Sequence, residues 1–134
     1  MGVFQLPKSL CDDLEAMYAK FWWGQVGNER KIHWKSWSSL TSSKKKGGMG
    51  FRDLRSFNLE MLAKQGWRLI HENESLLSLC FKAKYFPRCH FLDAAVPPNC
   101  SYAWRSIMAA KPILENGCCW RVGDGSSIRI FFDK

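Results

Sequence analysis

The chain has 134 residues, of which 46% are hydrophobic, and a formal net charge of +8 from 20 Lys and Arg against 12 Asp and Glu. This length fits a single domain spanning residues 1–134, and seven Trp and nine Phe supply apolar surface for a packed core, which argues against a disordered chain. No apolar run approaches the roughly 20 residues of a membrane-spanning helix, and the N-terminus has no secretory signal. We therefore expect a soluble intracellular protein without membrane contact, in the nucleus or cytoplasm, with mitochondria as the alternative.

The first predicted element is an amphipathic helix between Pro7 and Gly24. Proline fits the first turn of a helix, where its missing N–H would be unpaired anyway, and glycine commonly follows a helix end. Apolar residues recur at intervals of four or three, which places them on one helical face: Leu6, Leu10, Leu14, Met17 and Phe21. Charged residues fall largely outside this stripe, so the stripe is predicted to face the core.

The segment after this helix is predicted to be largely irregular. Residues 32–40 are expected to form a short strand entering one helical turn, with Trp34 and Trp37 three apart on one face. Residues 41–49 form a loop of Ser, Lys and Gly, in which Gly47 and Gly48 permit backbone angles that other residues resist.

Two helices are expected next. Asp53 can cap the first, which extends to about His71. Asn73 or Ser75 can start the second, which Pro87 stops. Each cap residue has a short polar side chain that can accept a hydrogen bond from the first turn.

A fourth helix and a β-hairpin are predicted in the C-terminal part. Ser101 caps the helix, and Pro112 should kink or end it, because proline lacks an N–H and clashes with the preceding turn. Alternating apolar residues on both sides of a glycine turn are typical of a hairpin; they are Trp120, Val122, Ile128, Ile130 and Phe132. The predicted fold class is mainly α, with about four packed helices and a small C-terminal β-hairpin.

The positive charge is concentrated between Glu29 and Arg55. Eight basic residues stand there against two acidic ones, Glu29 and Asp53, an excess of +6. The basic residues are Arg30, Lys31, Lys35, Lys44, Lys45, Lys46, Arg52 and Arg55. Such an excess is typical of a polyanion-binding segment, and a merely solvated loop is the alternative.

Aromatic residues lie among these charges, at Trp34, Trp37 and Phe51. Lys and Arg neutralise phosphates without reading sequence, while flat rings can stack on unpaired bases. Lys64 and Arg68 lie four residues apart on one predicted helical face. The predicted nucleic-acid contacts are Lys31, Lys35, Lys44, Lys45, Lys46, Arg52, Lys64 and Arg68. Three other tryptophans are predicted to be core residues: Trp22, Trp67 and Trp120.

The sequence predicts no catalytic residue, no metal site and no cofactor. The cysteines form no CxxC pair, and Cys89-His90 is too isolated to anchor a tetrahedral zinc site, so reduced thiols are expected. His33 has no identifiable nucleophile or orienting partner, which favours a structural role. The adjacent carboxylates Asp12 and Asp13 fall on the solvated face of the first helix.

Five aromatic- or glycine-rich islands resemble one protein family in their order and spacing. They are Phe21-Trp22-Trp23-Gly24, Ile32-His33-Trp34, Gly47-Gly48-Met49-Gly50-Phe51-Arg52-Asp53-Leu54, Lys64-Gln65-Gly66-Trp67-Arg68 and Trp120-Arg121-Val122-Gly123-Asp124-Gly125. The family is that of plant non-LTR (LINE-type) retrotransposon reverse transcriptases, in the region between the polymerase domain and the C-terminal zinc-binding segment. Similar stretches occur as orphan plant mitochondrial open reading frames.

The resemblance implies a thumb or post-thumb fragment of an RNA-directed DNA polymerase. Reverse transcriptases of this kind carry adjacent metal-binding aspartates after an aromatic–Ala dipeptide, which Asp12 and Asp13 do not match, so the chain by itself is not expected to polymerise. The implied partners are RNA and/or DNA, bound weakly and without sequence preference, and the remainder of a reverse transcriptase polyprotein if the chain is not a stand-alone fragment. Two alternatives stay open: a helical protein-interaction module and a non-functional retroelement relic.

Overall fold

Six α-helices and two 3₁₀ turns form the part of the chain that the computed structural model describes, which is residues 2–25, 27, 29 and 31–118. The helices are α1 (Lys8–Trp22), α2 (Trp37–Thr41), α3 (Leu54–His71), α4 (Leu76–Tyr85), α5 (Tyr102–Ala109) and α6 (Lys111–Gly117). The 3₁₀ turns are Lys44–Lys46 and Phe91–Asp93. The described residues are therefore mainly α.

The predicted combination of four helices with a β-hairpin is wrong. The described residues contain six helices and no strand. Within residues 32–40 the expected helical turn is confirmed as α2, because the Ser36 side chain accepts a hydrogen bond from the N–H of Ser39 and so caps it. The short strand expected before this turn is wrong, since those residues are irregular. The residues assigned to the hairpin, 120–132, lie outside the described part of the chain.

Side-chain caps start three of the longer helices, as the sequence predicts. Asp53, Ser75 and Ser101 precede α3, α4 and α5, and each accepts a hydrogen bond from the backbone N–H three residues later. Between the last two helices, α5 ends at Ala109 and α6 begins at once, with Pro112 in its first turn. The prediction that Pro112 kinks or ends the helix is confirmed, since the helix is interrupted at Ala110.

The main core surrounds the fully buried Trp104, on α5. Its ring stacks on Tyr85 with centroids 4.6 Å apart, and it also contacts Phe81, Phe86 and Phe91. Helix α3 is the central element, since α1, α4, α5 and α6 all pack against it. The buried members of this core are Leu62, Ala63, Leu69, Phe86, Phe91, Ala94, Trp104, Ile107, Met108, Ala110 and Leu114.

The segment before α1 is fixed by a buried amide, Asn58 of α3. Its side-chain oxygen accepts from the N–H of Leu6 at 2.9 Å, and its NH₂ donates to the carbonyl of Phe4 at 3.0 Å. The hydroxyl of Tyr102 donates to the carbonyl of Gln5 at 2.7 Å. These bonds satisfy backbone groups that have no helical partner, and they tie the N-terminal segment to α3 and α5.

Helix α1 packs on α3 through small residues. Cys11 and Ala19 are 2% and 8% exposed, and burial, followed by the nearby charge of Glu15, raises the pKa of the Cys11 thiol. The apolar stripe of α1 lies elsewhere: Leu10, Met17 and Phe21 are 43%, 63% and 85% exposed. The prediction that this stripe faces the core is wrong, because another face of α1, which carries the buried Cys11 and Ala19 and the Glu15 carboxylate bonded to Leu54, is the one that packs inward.

Candidate nucleic-acid interface

A lysine-bearing loop, residues 42–50, lies between α2 and α3, and we call it the lysine loop. Its base is closed by two backbone hydrogen bonds, since the N–H groups of Met49 and Phe51 both donate to the carbonyl of Leu40, at 3.1 and 3.3 Å. The Leu40 side chain is 3% exposed. The loop is therefore anchored to the folded chain at its base.

Glycines determine the shape of this loop. Gly47 and Gly50 have φ angles of 81° and 75°, in the left-handed region that favours glycine. A Cβ added at Gly48 would overlap the carbonyl oxygen of Ser42. The expectation of backbone angles that other residues resist is therefore confirmed at Gly47, while glycine is needed at position 48 because of the close approach of Ser42. Gly50 shares the left-handed angle of Gly47.

The lysines of this loop are exposed and not neutralised. Lys44, Lys45 and Lys46 form the 3₁₀ turn, and all three side chains face solvent. Within the described ranges the ion pairs are Arg68–Glu72 and Lys111–Glu115, so none involves the loop. Three positive charges are thus held within one turn without an ion-pair partner among the described residues.

Arg52 lies between the lysine loop and α3. Its guanidinium lies over the ring of Phe57, 4.7 Å from the centroid, in a cation–π contact. The N-terminus of α3 beside it is closed to a phosphate, because the carboxylates of Asp53 and Glu15 accept from the N–H groups of Ser56 and Leu54 at 2.6 and 2.8 Å. Hydrogen bonds from the Ser56 side chain and N–H also lower the pKa of the Asp53 carboxyl. Any phosphate would therefore be bound by side chains here, and not by the helix end.

Lys31 and Lys35 belong to the irregular segment between α1 and α2. The carbonyl of Lys31 accepts from the side-chain amide of Gln25 at 3.4 Å, and the His33 ring stacks on Trp23 with centroids 5.9 Å apart. This segment therefore folds against the end of α1, and both lysine side chains are exposed. The stacking agrees with a structural role for His33.

The aromatic residues among these charges differ in accessibility. Trp37 stacks on Phe51 with centroids 5.4 Å apart and planes at 10°, and Tyr18 and Trp22 of α1 join this group. One face of Trp37 is thus already occupied. Trp34, by contrast, is 78% exposed and leaves its ring available for stacking.

The predicted core positions of two tryptophans are wrong. Trp22 and Trp67 are 45% and 43% exposed, and Trp67 stacks on His71 at the end of α3 with ring centroids 3.9 Å apart. The tryptophan that the core does bury is Trp104. Trp120 lies outside the described residues.

Lys64 and Arg68 are separate from the lysine loop. Lys64 lies ten residues into α3, about 15 Å along the helix axis from its start. Arg68 is paired with Glu72 at 3.0 Å, and the hydrogen bond and charge of Glu72 raise the pKa of Arg68 further. This pairing leaves Arg68 less available to a phosphate than the unpaired lysines.

Other kinds of site find no support in the described part of the chain. No group of three or more His, Cys, Asp and Glu side chains there could hold a metal ion, and no helix there is long and apolar enough to cross a membrane. Asp12 and Asp13 are exposed on α1, as predicted.

Comparison with known proteins gives one relative that covers nearly the whole of both chains. The chain is 41% identical over 135 residues to "Uncharacterized mitochondrial protein AtMg00310" of Arabidopsis thaliana, covering 100% of this chain and 88% of that protein. This chain belongs to the AtMg00310 family. No protein-family model matches it, and no solved structure matches it.

A second relative of the AtMg00310 family is much longer. The chain is 34% identical over 137 residues to "Putative ribonuclease H protein At1g65750" of Arabidopsis thaliana, a match that covers all of this chain but only 22% of that protein. The same segment therefore occurs as most of a short mitochondrial protein and as about a fifth of a longer one. This distribution is consistent with a retroelement-derived plant protein.

Proposed function

We propose that this member of the AtMg00310 family is a non-catalytic fragment of a LINE-type reverse transcriptase that contacts RNA template or nascent DNA through the lysine loop. The observation that carries the proposal is the set of three adjacent lysines on an anchored loop, exposed and free of ion pairs within the described residues. Lys31, Lys35 and Arg52 extend the basic surface on either side of it in sequence. In a longer chain, the rest of the reverse transcriptase is the further partner.

The physical basis of this binding is phosphate neutralisation. Each lysine that pairs with a phosphate releases a condensed counterion from the nucleic acid, which favours association and makes it sensitive to salt. Lysine ammonium groups act as point charges and do not distinguish bases. The exposed Trp34 ring adds a surface on which an unpaired base can stack. Binding is therefore weak, sequence-tolerant and stronger for single strands.

The test is a salt titration with labelled single-stranded RNA and an RNA–DNA hybrid. With about three to five phosphates engaged, the log–log slope of the binding constant against salt is expected near −2 to −5. Replacing Lys44, Lys45 and Lys46 together by Ala should weaken binding and flatten the slope by at most about three units, one per lost contact.

A matched control removes three positive charges elsewhere. This variant carries Lys82→Ala, Lys84→Ala and Arg88→Ala, which lower the net charge by the same three units. Lys82 and Lys84 lie in the last turn of α4, Arg88 follows the helix, and all three are exposed. This control should keep most of the affinity. The proposal fails if the unmodified chain does not bind at low salt, or if both triple variants lose affinity equally.

For the cellular compartment of this chain, the support comes from a relative and not from the structure. The name of AtMg00310 describes a mitochondrial protein, which supports the mitochondrial alternative for this chain. Imaging of the tagged full chain in plant cells, with a mitochondrial marker, tests this part of the proposal separately.

A further inference from the structure

The apolar stripe of α1 is a row of large side chains that the described part of the chain leaves uncovered. Phe21 is 85% exposed, Met17 63% and Leu10 43%, and Leu14 between them is half-buried. Helix α1 packs on α2 and α3 through a different face, which holds Cys11 and Ala19. Single exposed apolar residues are ordinary, but a continuous row of them marks an interaction surface.

The spacing of the stripe is that of a helix-pairing seam. Leu10, Leu14, Met17 and Phe21 follow intervals of four, three and four, which are the alternating d and a positions of a heptad. In this register Leu10 and Met17 are d positions, and Leu14 and Phe21 are a positions. Such a seam is complementary to another helix with the same spacing.

The charges beside the seam indicate which helix would pair with α1. Asp13 and Lys20 are seven residues apart, both are exposed, and both fall at g, on the same flank of the stripe. In an antiparallel pair, g positions face g positions of the other helix. Two copies of α1 therefore place Asp13 of each beside Lys20 of the other, and the contact is made twice because the interface is two-fold symmetric. A parallel pair would instead set g against e, where Tyr18 and Cys11 offer no charge.

The seam residues match in the same arrangement. With the two-fold axis between positions 15 and 16, Leu10 of one copy meets Phe21 of the other, and Leu14 meets Met17. Asp13 and Lys20 are then offset by two residues, about 3 Å along the axis, which the long lysine side chain can span. Apolar matching and charge matching therefore select one and the same pairing.

The charge of α1 also favours a second copy over nucleic acid. The helix carries Lys8 and Lys20 against Asp12, Asp13 and Glu15, a net charge of −1 in a chain of net +8. The helix therefore offers a phosphate no net positive charge, and it adds little to the repulsion between two copies of a basic chain.

We propose that α1 is a homodimerisation helix, pairing antiparallel with α1 of a second copy through Leu10, Leu14, Met17 and Phe21, with Asp13 against Lys20 of the partner copy. The proposal does not depend on nucleic-acid binding. Four seam residues per copy make a small interface, so we expect a weak dimer whose population rises with protein concentration.

Analytical ultracentrifugation of the full chain, over about a hundredfold range of protein concentration, tests the proposal. The unmodified chain should pass from monomer to dimer. Asp13→Lys and Lys20→Asp should each weaken dimerisation by about tenfold or more, because each places like charges in contact twice. An equal mixture of the two variants should dimerise as the unmodified chain does, since every contact is then between opposite charges.

Two further variants separate this pairing from other causes. Asp12→Lys makes the same charge change at an exposed position off the seam and should leave dimerisation unchanged. Met17→Glu should give a monomer with unaltered helical circular dichroism. The proposal is overturned if the unmodified chain stays monomeric, if the mixture fails to restore the dimer, or if Asp12→Lys weakens it equally. A monomer that Met17→Glu destabilises would show that the stripe is covered within its own chain.

Discussion

Asp53 is the residue whose ionisation most directly affects the stability of α3, the central helix, because its carboxylate caps that helix. It accepts the N–H of Ser56 at 2.6 Å at the positive end of α3, and Glu15 accepts the N–H of Leu54 beside it. Two carboxylates at one helix start stabilise the helix, and the hydrogen bonds from the Ser56 side chain and N–H lower the pKa of the Asp53 carboxyl.

Replacing Asp53 by Ala should reduce the free energy of unfolding by about 1 kcal/mol at neutral pH, the usual value of a lost side-chain cap. A lowered folded-state pKa means that the ionised cap contributes fully above the unfolded value of 3.8 and is lost as pH falls through the folded value. Urea unfolding should therefore show a smaller difference in the free energy of unfolding between the Asp53 variant and the unmodified chain near pH 3 than at pH 7. A gap independent of pH would contradict this account.

At the scale of elements, the lysine loop depends on a close backbone approach. Any side chain at Gly48 would overlap the Ser42 carbonyl, so Gly48→Ala should destabilise the chain by at least about 1 kcal/mol. The matched control is Gly117→Ala, at the end of α6, where nothing lies within 4 Å of an added Cβ. That substitution should be neutral or slightly stabilising. Chemical denaturation compares the two, and equal effects would show that the loop is not held in this conformation.

The ends of the helices could be predicted from sequence, because caps and prolines act locally. Pro7 and Gly24 bracket α1, and Ser75 starts α4, through interactions within a few residues. The face that a helix buries could not be predicted. Periodicity shows that a helix has one apolar face, but it does not show which part of the molecule covers that face. In residues 32–40 the predicted helical turn is present and the predicted strand is not, because a strand needs a neighbour to pair with while the Ser36 cap needs only its own turn.

The candidate site was predictable to a similar degree. Exposure of Lys44 to Lys46 follows from the cost of burying charge, and the Arg68–Glu72 pair follows from spacing four residues apart on a helix. Which tryptophan is buried could not be read from composition. Trp104 is enclosed by Phe81 and Phe91, which come from other elements, and such contacts are not visible in a local pattern.

At the scale of the whole molecule, α3 joins two aromatic clusters. One surrounds Trp104, and the other lies between α1, α2 and the lysine loop, where Trp37 and Phe51 stack. Asn58 lies between them along α3 and holds the N-terminal segment. The candidate interface and the core are therefore connected through one helix.

Asn58→Ala should release the N-terminal segment and reduce the free energy of unfolding by about 1–3 kcal/mol, because partly buried backbone groups of Phe4 and Leu6 lose their partner. In this variant the backbone amides of residues 2–6 should exchange hydrogen faster, and the melting temperature should fall. Asn116→Ala, at an exposed position of α6, is the control and should change neither. Unchanged protection at residues 2–6 in the Asn58 variant would show that this tie is dispensable.

The buried Cys11 gives the chain a built-in probe of its own motions. Its thiol lies where α1 packs near the start of α3 and is kept protonated by burial, so an alkylating reagent reaches it only when α1 separates from α3. Cys80 and Cys89 are exposed and react in the intact molecule. The ratio of alkylation rates at Cys11 and at these two residues therefore measures how often the α1 contact opens, in unmodified protein and without a fluorophore.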